Sequence, residues 1–342
     1  MARWPLFCAL PAVKTVTMNE ITVSRREALA LAAAALAADR AQAVVTPRSA
    51  VPMQPMNAPP DTKSNNPVLV DRAFVRLEEG LVHYRFAGRE HSTGALPLYL
   101  AHAGPGSSRV FEPFLAAFGA ERFAFAPDML GNGDSAQPAR DEVDIGYYVD
   151  SAIRLADALG ISRFDFFGSH TGAQIGCQLA VQHPERIRKL VLDGVPLFPP
   201  EFKQQLLARY APKVTPDDYG GHLNWAWNFV RDQQLFWPHF ERTAANRLAN
   251  PVSSAEQLHN SVTDVVKALH TYHIAYHAAF AQNVHELLPR LRCPVLISAS
   301  ERDPLSIYLD AAAELVPGCT RVLFSRTATL AERIEAVRNF LA

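Results

Sequence analysis

Short apolar runs alternate with helix-like stretches along this chain, a rhythm that few folds accommodate. The apolar runs are LPLYLAHAG, RFAFAPDML, RFDFFGS and RKLVLDGV, and stretches such as GYYVDSAIRLADALG lie between them. Each connection between parallel strands places a helix against the sheet, so both faces become covered. The sequence therefore predicts an α/β fold with a mostly parallel sheet and helices on both faces.

The rhythm stops after Leu197 and resumes near Arg290. Residues 198–289 are helical in pattern and rich in aromatic side chains, after which CPVLISAS and TRVLFS restore strands. We predict a core in two parts, residues 67–197 and 290–342, with an inserted helical cap between them. Such an insertion would cover the carboxyl edge of the sheet, where α/β sheets bind their ligands.

The N-terminal region has the features of an export signal. Arg25 and Arg26 precede an alanine-leucine stretch that ends in the small-residue sequence AQA, which resembles a twin-arginine signal with its cleavage site. We therefore predict a signal peptide at residues 1–43, a proline-rich linker at 44–66, and a periplasmic or secreted protein. The stretch could instead be an alanine-rich helix of the mature fold, and Met18 could be the start.

The charge balance argues for a small-molecule partner. The 342 residues include 33 basic and 34 acidic side chains, for a net charge of -1 without long blocks of one sign. Nucleic acid and membrane surfaces are therefore not expected as partners. The three cysteines beyond the predicted signal, at wide spacing, do not form a disulfide framework. No cofactor motif is evident, and the oligomeric state is left open.

A histidine stands inside a glycine frame that follows one of the predicted strands. Gly168, Ser169, His170, Thr171 and Gly172 lie where a strand ends and a helix begins. A strand-to-helix turn this sharp brings backbones into close contact, so glycine is required beside the central residue. This context is typical of a nucleophile elbow.

Two further motifs precede the frame, each after a strand: HAGPGSS at 102–108 and PDMLGNGDS at 127–135. In this order, the motifs resemble the α/β-hydrolase superfamily, in its group of capped single-domain enzymes, over residues 67–342. The resemblance implies an oxyanion hole formed by the backbone amides of Gly104 and Thr171. The latter amide would also lie at a helix N-terminus, where negative charge is favoured.

The resemblance places the catalytic acid at Asp303, after the strand that follows the cap, with Asp193 as the fallback. Asp303 could instead simply cap the next helix. The sequence departs from the family in two places. His170 occupies the nucleophile position, and no histidine follows His285, so that Thr327 lies near the place of the missing base.

A compressed site is our hypothesis for these departures. A histidine at the elbow is long enough to reach Asp303, which would orient it as a general base on water. We expect His170 to titrate near its unperturbed pKa of about 6.5. Direct attack by His170 to form an acyl-imidazole is a rival, whereas epoxide opening or dehalogenation would need a carboxylate there. The chain could also be a catalytically silent ligand-binding protein, or a cofactor-free lyase or isomerase.

The aromatic residues of the cap are candidates for a mostly apolar substrate pocket, which favours a small ester- or lactone-like compound. They could equally form the core of the cap. The candidate substrate-binding residues are Trp225, Trp227, Trp237, Tyr272 and Tyr276. Three histidines, His270, His273 and His277, have the spacing of metal ligands on one helical face. Without a carboxylate or cysteine nearby, we favour packing over metal binding and expect no metal.

Overall fold

The structure is a computed structural model that describes residues 68–88, 94–140 and 142–342. The predicted signal peptide at 1–43 and the predicted linker at 44–66 lie outside the described residues. Across the described ranges, none of the helices has both the length and the apolar character needed to span a bilayer.

Eight strands form one sheet in the order β1-β2-β4-β3-β5-β6-β7-β8. β1 and β2 are antiparallel to each other, β2 is antiparallel to β4, and the remaining pairs are parallel. The predicted fold class is confirmed. The strands are β1 (Asp71–Arg76), β2 (Leu81–Ala87), β3 (Leu98–Ala101), β4 (Ala124–Pro127), β5 (Phe164–Ser169), β6 (Ile187–Asp193), β7 (Val295–Ser300) and β8 (Thr320–Phe324).

The central strands are apolar throughout because both of their faces are buried. In β5, Phe166 packs into the hydrophobic core on one face of the sheet and Phe167 into the core on the other. Tyr99 and Leu100 divide in the same way in β3. Continuous apolar runs at these positions therefore reflect a sheet enclosed between two layers.

Helices form the two outer layers. α1 (Glu112–Phe118) and α10 (Leu330–Leu341) contribute to the core on one face. α2 (Ile145–Ala158), α3 (Thr171–Gln182) and α9 (Leu309–Glu314) contribute to the core on the other face. The helix that matters most for the site is α3, because it begins directly at the end of β5.

Five helices occupy the chain between β6 and β7, and we call residues 198–289 the helical insertion. The insertion has an aromatic core of its own, which includes Tyr210, Phe229 and Tyr272. Its α-helices are α4 (Pro200–Arg209), α5 (Gly221–Leu235), α6 (Ala255–Lys267), α7 (Tyr272–Ala281) and α8 (Val284–Leu287).

Candidate active site

The turn between β5 and α3 holds His170 in an uncommon backbone conformation, with φ of 50° and ψ of -109°. Among the described residues, His170 is the only one other than glycine that has a positive φ. Such a conformation costs on the order of 1–3 kcal/mol and persists only where the surroundings impose it. A Cβ atom on Gly168 would lie 2.2 Å from the carbonyl oxygen of Gly172, and one on Gly172 would lie 2.1 Å from that of Ala101. These contacts explain the glycine frame.

His170 lies within hydrogen-bond distance of Asp303, which follows β7. The distance between His170 Nε2 and Asp303 Oδ2 is 2.6 Å. The second oxygen, Oδ1, accepts a hydrogen bond of 2.8 Å from the backbone N–H of Leu305 and so caps the 3-10 helix Pro304–Tyr308. Asp303 therefore caps the helix and contacts His170 at the same time, so both interpretations of this residue are correct. Capping fixes the carboxylate that faces the imidazole.

Gly194, directly after β6, makes room for the imidazole ring. Its φ of +74° is a conformation that favours glycine. A Cβ atom at this position would lie 2.5 Å from Cδ2 and 2.7 Å from Nε2 of His170. The absence of a side chain at Gly194 is therefore a condition for the contact between His170 and Asp303. Gly194 is not among the site residues predicted from the sequence, although it belongs to the LDGV sequence at the end of β6.

The charge on Asp303 changes the protonation of His170. Desolvation alone would lower the pKa of His170, but the carboxylate of Asp303, with a smaller contribution from Asp193, raises it to about 9. Burial alone would raise the pKa of Asp303, but the imidazole and the Leu305 N–H bring it below its ordinary value. The expectation that His170 titrates near 6.5 is therefore wrong, because the two residues form an ion pair at neutral pH.

Asp193, the fallback acid, is bound to other partners. Its side chain accepts hydrogen bonds from Ser298 Oγ at 2.7 Å and from Arg333 at 2.8 Å. Its backbone carbonyl accepts the N–H of His170 at 2.8 Å. Thr327, in the loop between β8 and α10, is exposed to solvent. Asp303 is therefore the carboxylate that pairs with the His170 ring.

The two proposed oxyanion donors, Gly104 and Thr171, line the same cavity as His170. Thr171 is the first residue of α3, where backbone N–H groups have no partner within the helix. The N–H of Gly104 donates to Thr171 Oγ1 at 3.4 Å. This bond is long and therefore weak, so a substrate oxygen could replace it.

His102 holds the loop that carries Gly104. Its Nδ1 lies 2.8 Å from the carbonyl oxygen of Ala103, and its Nε2 lies 3.0 Å from the N–H of Met129, which donates to it. Burial lowers the pKa of His102, so the ring is neutral and can donate from one nitrogen and accept at the other. His102 thus ties the loop after β3 to the loop after β4.

The cavity beside His170 has a volume of about 320 Å³ and lies between the sheet edge and the helical insertion. Trp237 and Tyr276, two of the five predicted substrate-binding residues, line it. Trp225 instead stacks on Phe229 at 4.9 Å between ring centroids, inside the insertion. One part of the cavity wall is aromatic, and it consists of Phe198, Tyr210, Trp237, Tyr276 and Phe280.

The other two predicted substrate-binding residues also lie away from the cavity. Tyr272 is fully buried in the core of the insertion, and its hydroxyl donates to the carbonyl oxygen of Pro212. Trp227 is 38% exposed at the outer surface of α5. Side chains two positions apart on a helix point about 200° apart, so Trp225 and Trp227 could not both face a ligand. The prediction of these three residues as cavity-lining is corrected.

Sequence reasoning also missed a polar group in the aromatic wall. Gln233 Nε2 donates hydrogen bonds to the hydroxyl oxygens of Tyr210 and Tyr276, at 3.2 and 2.9 Å. All three residues line the cavity. Gln233 belongs to a run of polar residues, RDQQ, near the end of α5, and the sequence alone does not distinguish the residue that faces inward from its neighbours.

The three histidines with metal-ligand spacing do not come together. His270 is exposed and precedes α7, whereas His273 is buried within that helix. Within the described ranges, these side chains do not place their nitrogen atoms close enough together to share one ion. Cys177, in α3, is fully buried. Burial raises the pKa of this thiol, so it acts as a packing group.

The fold, the strained turn and the placement of the Asp303 loop define an α/β hydrolase. Residues 97–328 match the family model of the alpha/beta hydrolase fold, and the chain belongs to this family. It is similar to 2-hydroxymuconate semialdehyde hydrolase of Pseudomonas sp. (strain CF600), with 41% identity over 111 residues, which is 30% of this chain and 38% of that protein. The chain thus matches well under two thirds of this relative's length.

Two further likenesses were found. Haloalkane dehalogenase 2 of Mycobacterium bovis (strain ATCC BAA-935 / AF2122/97) is 31% identical over 124 residues, covering 35% of this chain and 40% of that protein. The crystal structure of a hydrolase from Pseudomonas aeruginosa PA01 superposes with a TM-score of 0.61 at 21% identity, over 80% of this chain and 98% of that chain. The structural likeness shows the fold alone.

Proposed function

We propose that this protein is a hydrolase of small, mostly apolar ester- or lactone-like compounds, in which His170 acts as general base and Asp303 orients it. The observation that carries the proposal is the 2.6 Å contact between His170 Nε2 and Asp303 Oδ2 at the edge of a cavity that also contains Gly104 and Thr171. The base, which Asp303 orients, and the two residues that carry the backbone donors thus line one cavity.

The reaction follows from this arrangement. With Nε2–H donating to Asp303, the lone pair of neutral His170 is on Nδ1, where it can take a proton from a water molecule. The hydroxide equivalent adds to the substrate carbonyl, and the N–H groups of Gly104 and Thr171 stabilise the oxyanion. Collapse of the adduct breaks the bond to the leaving oxygen, which receives the proton from His170. Ester and water give acid and alcohol.

Water has a route to the imidazole that does not cross the aromatic cavity. His170 also borders a second recess of about 450 Å³, whose lining includes Ser169, Asp193, Asp303 and Arg333. The side chain of His170 keeps 40% of its surface exposed. An apolar substrate in the first cavity and water in the second would meet at the ring.

The names of the relatives support hydrolysis in general. One relative is named as a semialdehyde hydrolase and another as a haloalkane dehalogenase. Dehalogenation by a carboxylate nucleophile is not our proposal for this chain, because His170 stands at the elbow. Hydrolysis of a carbonyl compound agrees better with an imidazole and two amide donors.

The test is hydrolysis of p-nitrophenyl esters and aliphatic lactones by the mature chain, measured between pH 6 and 10. Wild type should turn over at least one class, and His170→Ala should reduce kcat/KM to background. His259→Ala is the matched control, since His259 is exposed and outside the cavity. Full activity of His170→Ala would contradict the proposal.

A ligand-binding protein without turnover is the second candidate, and the ion pair favours it at neutral pH, because a protonated His170 cannot accept a proton. The same experiment separates the two. Binding of esters without hydrolysis, even at pH 10, would establish the binding protein.

We also propose export to the periplasm, on the strength of Arg25 and Arg26. Replacement of both by lysine should keep the protein in the cytoplasm on cell fractionation, and unchanged fractionation would reject the signal.

A further inference from the structure

We propose that Gln233, Tyr210 and Tyr276 form a subsite for an uncharged hydrogen-bond acceptor of the substrate, such as a ketone or ether oxygen, separate from the scissile carbonyl. This inference rests on the proposed function for the identity of the site, and it narrows the substrate class. The side-chain amide of Gln233 and the hydroxyls of the two tyrosines are three polar groups among the aromatic residues of the cavity wall.

The hydrogen bonds within this trio do not supply an acceptor for every hydroxyl hydrogen. Gln233 Nε2 donates to both phenolic oxygens, at 2.9 and 3.2 Å, so each tyrosine already accepts a hydrogen bond. Two hydroxyl hydrogens then need acceptors. One tyrosine can donate to the other, but the amide presents its nitrogen to both, so the second hydrogen has no acceptor within this trio. At least one O–H is therefore available to a molecule in the cavity.

The surroundings make that hydroxyl a neutral donor in an apolar wall. Tyr210 is buried and Tyr276 is half-buried, and burial raises the pKa of both phenols above the ordinary value. Phe280 stacks on Tyr276 at 5.5 Å, and Trp237 lies 5.8 Å from Tyr210, between ring centroids. A hydrogen bond in such surroundings discriminates strongly, because a ligand without an acceptor leaves the donor unsatisfied.

The scarcity of charged side chains in the cavity wall favours an acceptor that is itself uncharged. Apart from His170, the described residues that line it carry no charged side chain. A carboxylate at the trio would therefore lack a cation, whereas a ketone, ether or amide oxygen would not need one. The geometry points to a substrate with an apolar body and a second, neutral oxygen.

A matched pair of esters tests the subsite. p-Nitrophenyl 4-oxopentanoate and p-nitrophenyl pentanoate have the same chain length and differ by one ketone oxygen. Wild type should prefer the ketone by about three- to tenfold in kcat/KM, the value of one net hydrogen bond. Tyr276→Phe, Tyr210→Phe and Gln233→Leu should each reduce this ratio toward one. Tyr219→Phe, at a fully solvent-facing tyrosine that is 98% exposed, should leave the ratio unchanged.

Equilibrium binding separates this inference from the proposed chemistry. The two p-nitroanilides of the same acids can be titrated calorimetrically into His170→Ala, in which the proposed base is absent. Tighter binding of the 4-oxo compound, lost when Tyr276→Phe or Gln233→Leu is added, supports the subsite even if no ester is hydrolysed. Equal binding of both compounds, or a preference that survives all three substitutions, overturns it.

Discussion

The imidazole of His170 and the carboxylate of Asp303 meet at 2.6 Å, although they are 133 positions apart in the sequence. His170 comes from the turn after β5, and Asp303 from the loop after β7. The contact forms because parallel strands end at the same edge of a sheet. It joins the two main parts of the α/β core at one hydrogen bond.

Activity should depend on pH in the direction set by this contact. If neutral His170 is the base, kcat/KM should rise about tenfold per pH unit on the acid side and level off near the pKa of about 9. The protonated form predominates below that value and is inactive. A pH profile of ester hydrolysis measures this, and NMR titration of the His170 ring should give the same pKa. A plateau already reached at pH 7 would contradict the assignment.

Asp303 should control the titration of His170 far more than Asp193 does. Asp303→Asn removes the charge that opposes desolvation, so the pKa of His170 should fall to 6.5 or below. Asp193→Asn should lower it less, since that carboxylate pairs with Arg333. NMR titration of the ring measures both shifts. Asp150→Asn, at an exposed site on α2, is the control. Equal shifts for the two cavity-edge variants would show that Asp303 has no special role.

The strained turn should be visible in the stability of two variants that both lack the imidazole. The free energy of unfolding should be about 1 kcal/mol higher for His170→Gly than for His170→Ala. Only glycine adopts φ of 50° and ψ of -109° without steric cost. Urea denaturation at pH 7 measures the difference. An alanine variant as stable as the glycine variant would show that the backbone relaxes.

Gly194→Ala should disturb the site more than the backbone conformation alone explains. Its methyl group would meet the His170 ring at 2.5 Å, so the ring must move away from Asp303. We expect kcat/KM to fall at least tenfold and the pKa of His170 to decrease. Gly160→Ala is the matched control, because Gly160 has a φ of +73° with nothing within 4 Å of the added carbon. Both variants should lose some stability, but only Gly194→Ala should alter the titration.

Much of the architecture could be predicted because it depends on local signals. The apolar runs, the glycine frame around His170 and the aspartate after β7 each occupy a short stretch, and the ordered motifs indicated the fold. Steric contacts explain why glycine was needed at 168 and 172. Such requirements leave a visible mark in the sequence.

The interior of the site depends on non-local geometry and could not be predicted in the same way. The pKa of His170 follows from the distance to Asp303, which no spacing in the sequence gives. The roles of Gln233 and Trp225 depend on which side of α5 meets α7, and both residues occur in a helix that is mixed in polarity. Aromatic content identified the insertion as a source of cavity walls, but not the orientation of its members.

The placement of the imidazole at the elbow has a consequence for the loop that contains Thr327. In the proposed mechanism that loop contributes no reacting atom, so catalysis does not constrain its length or composition. Insertions or tags placed between β8 and α10 should therefore be tolerated, which makes this loop a suitable point for attaching the protein to a surface or a fused domain.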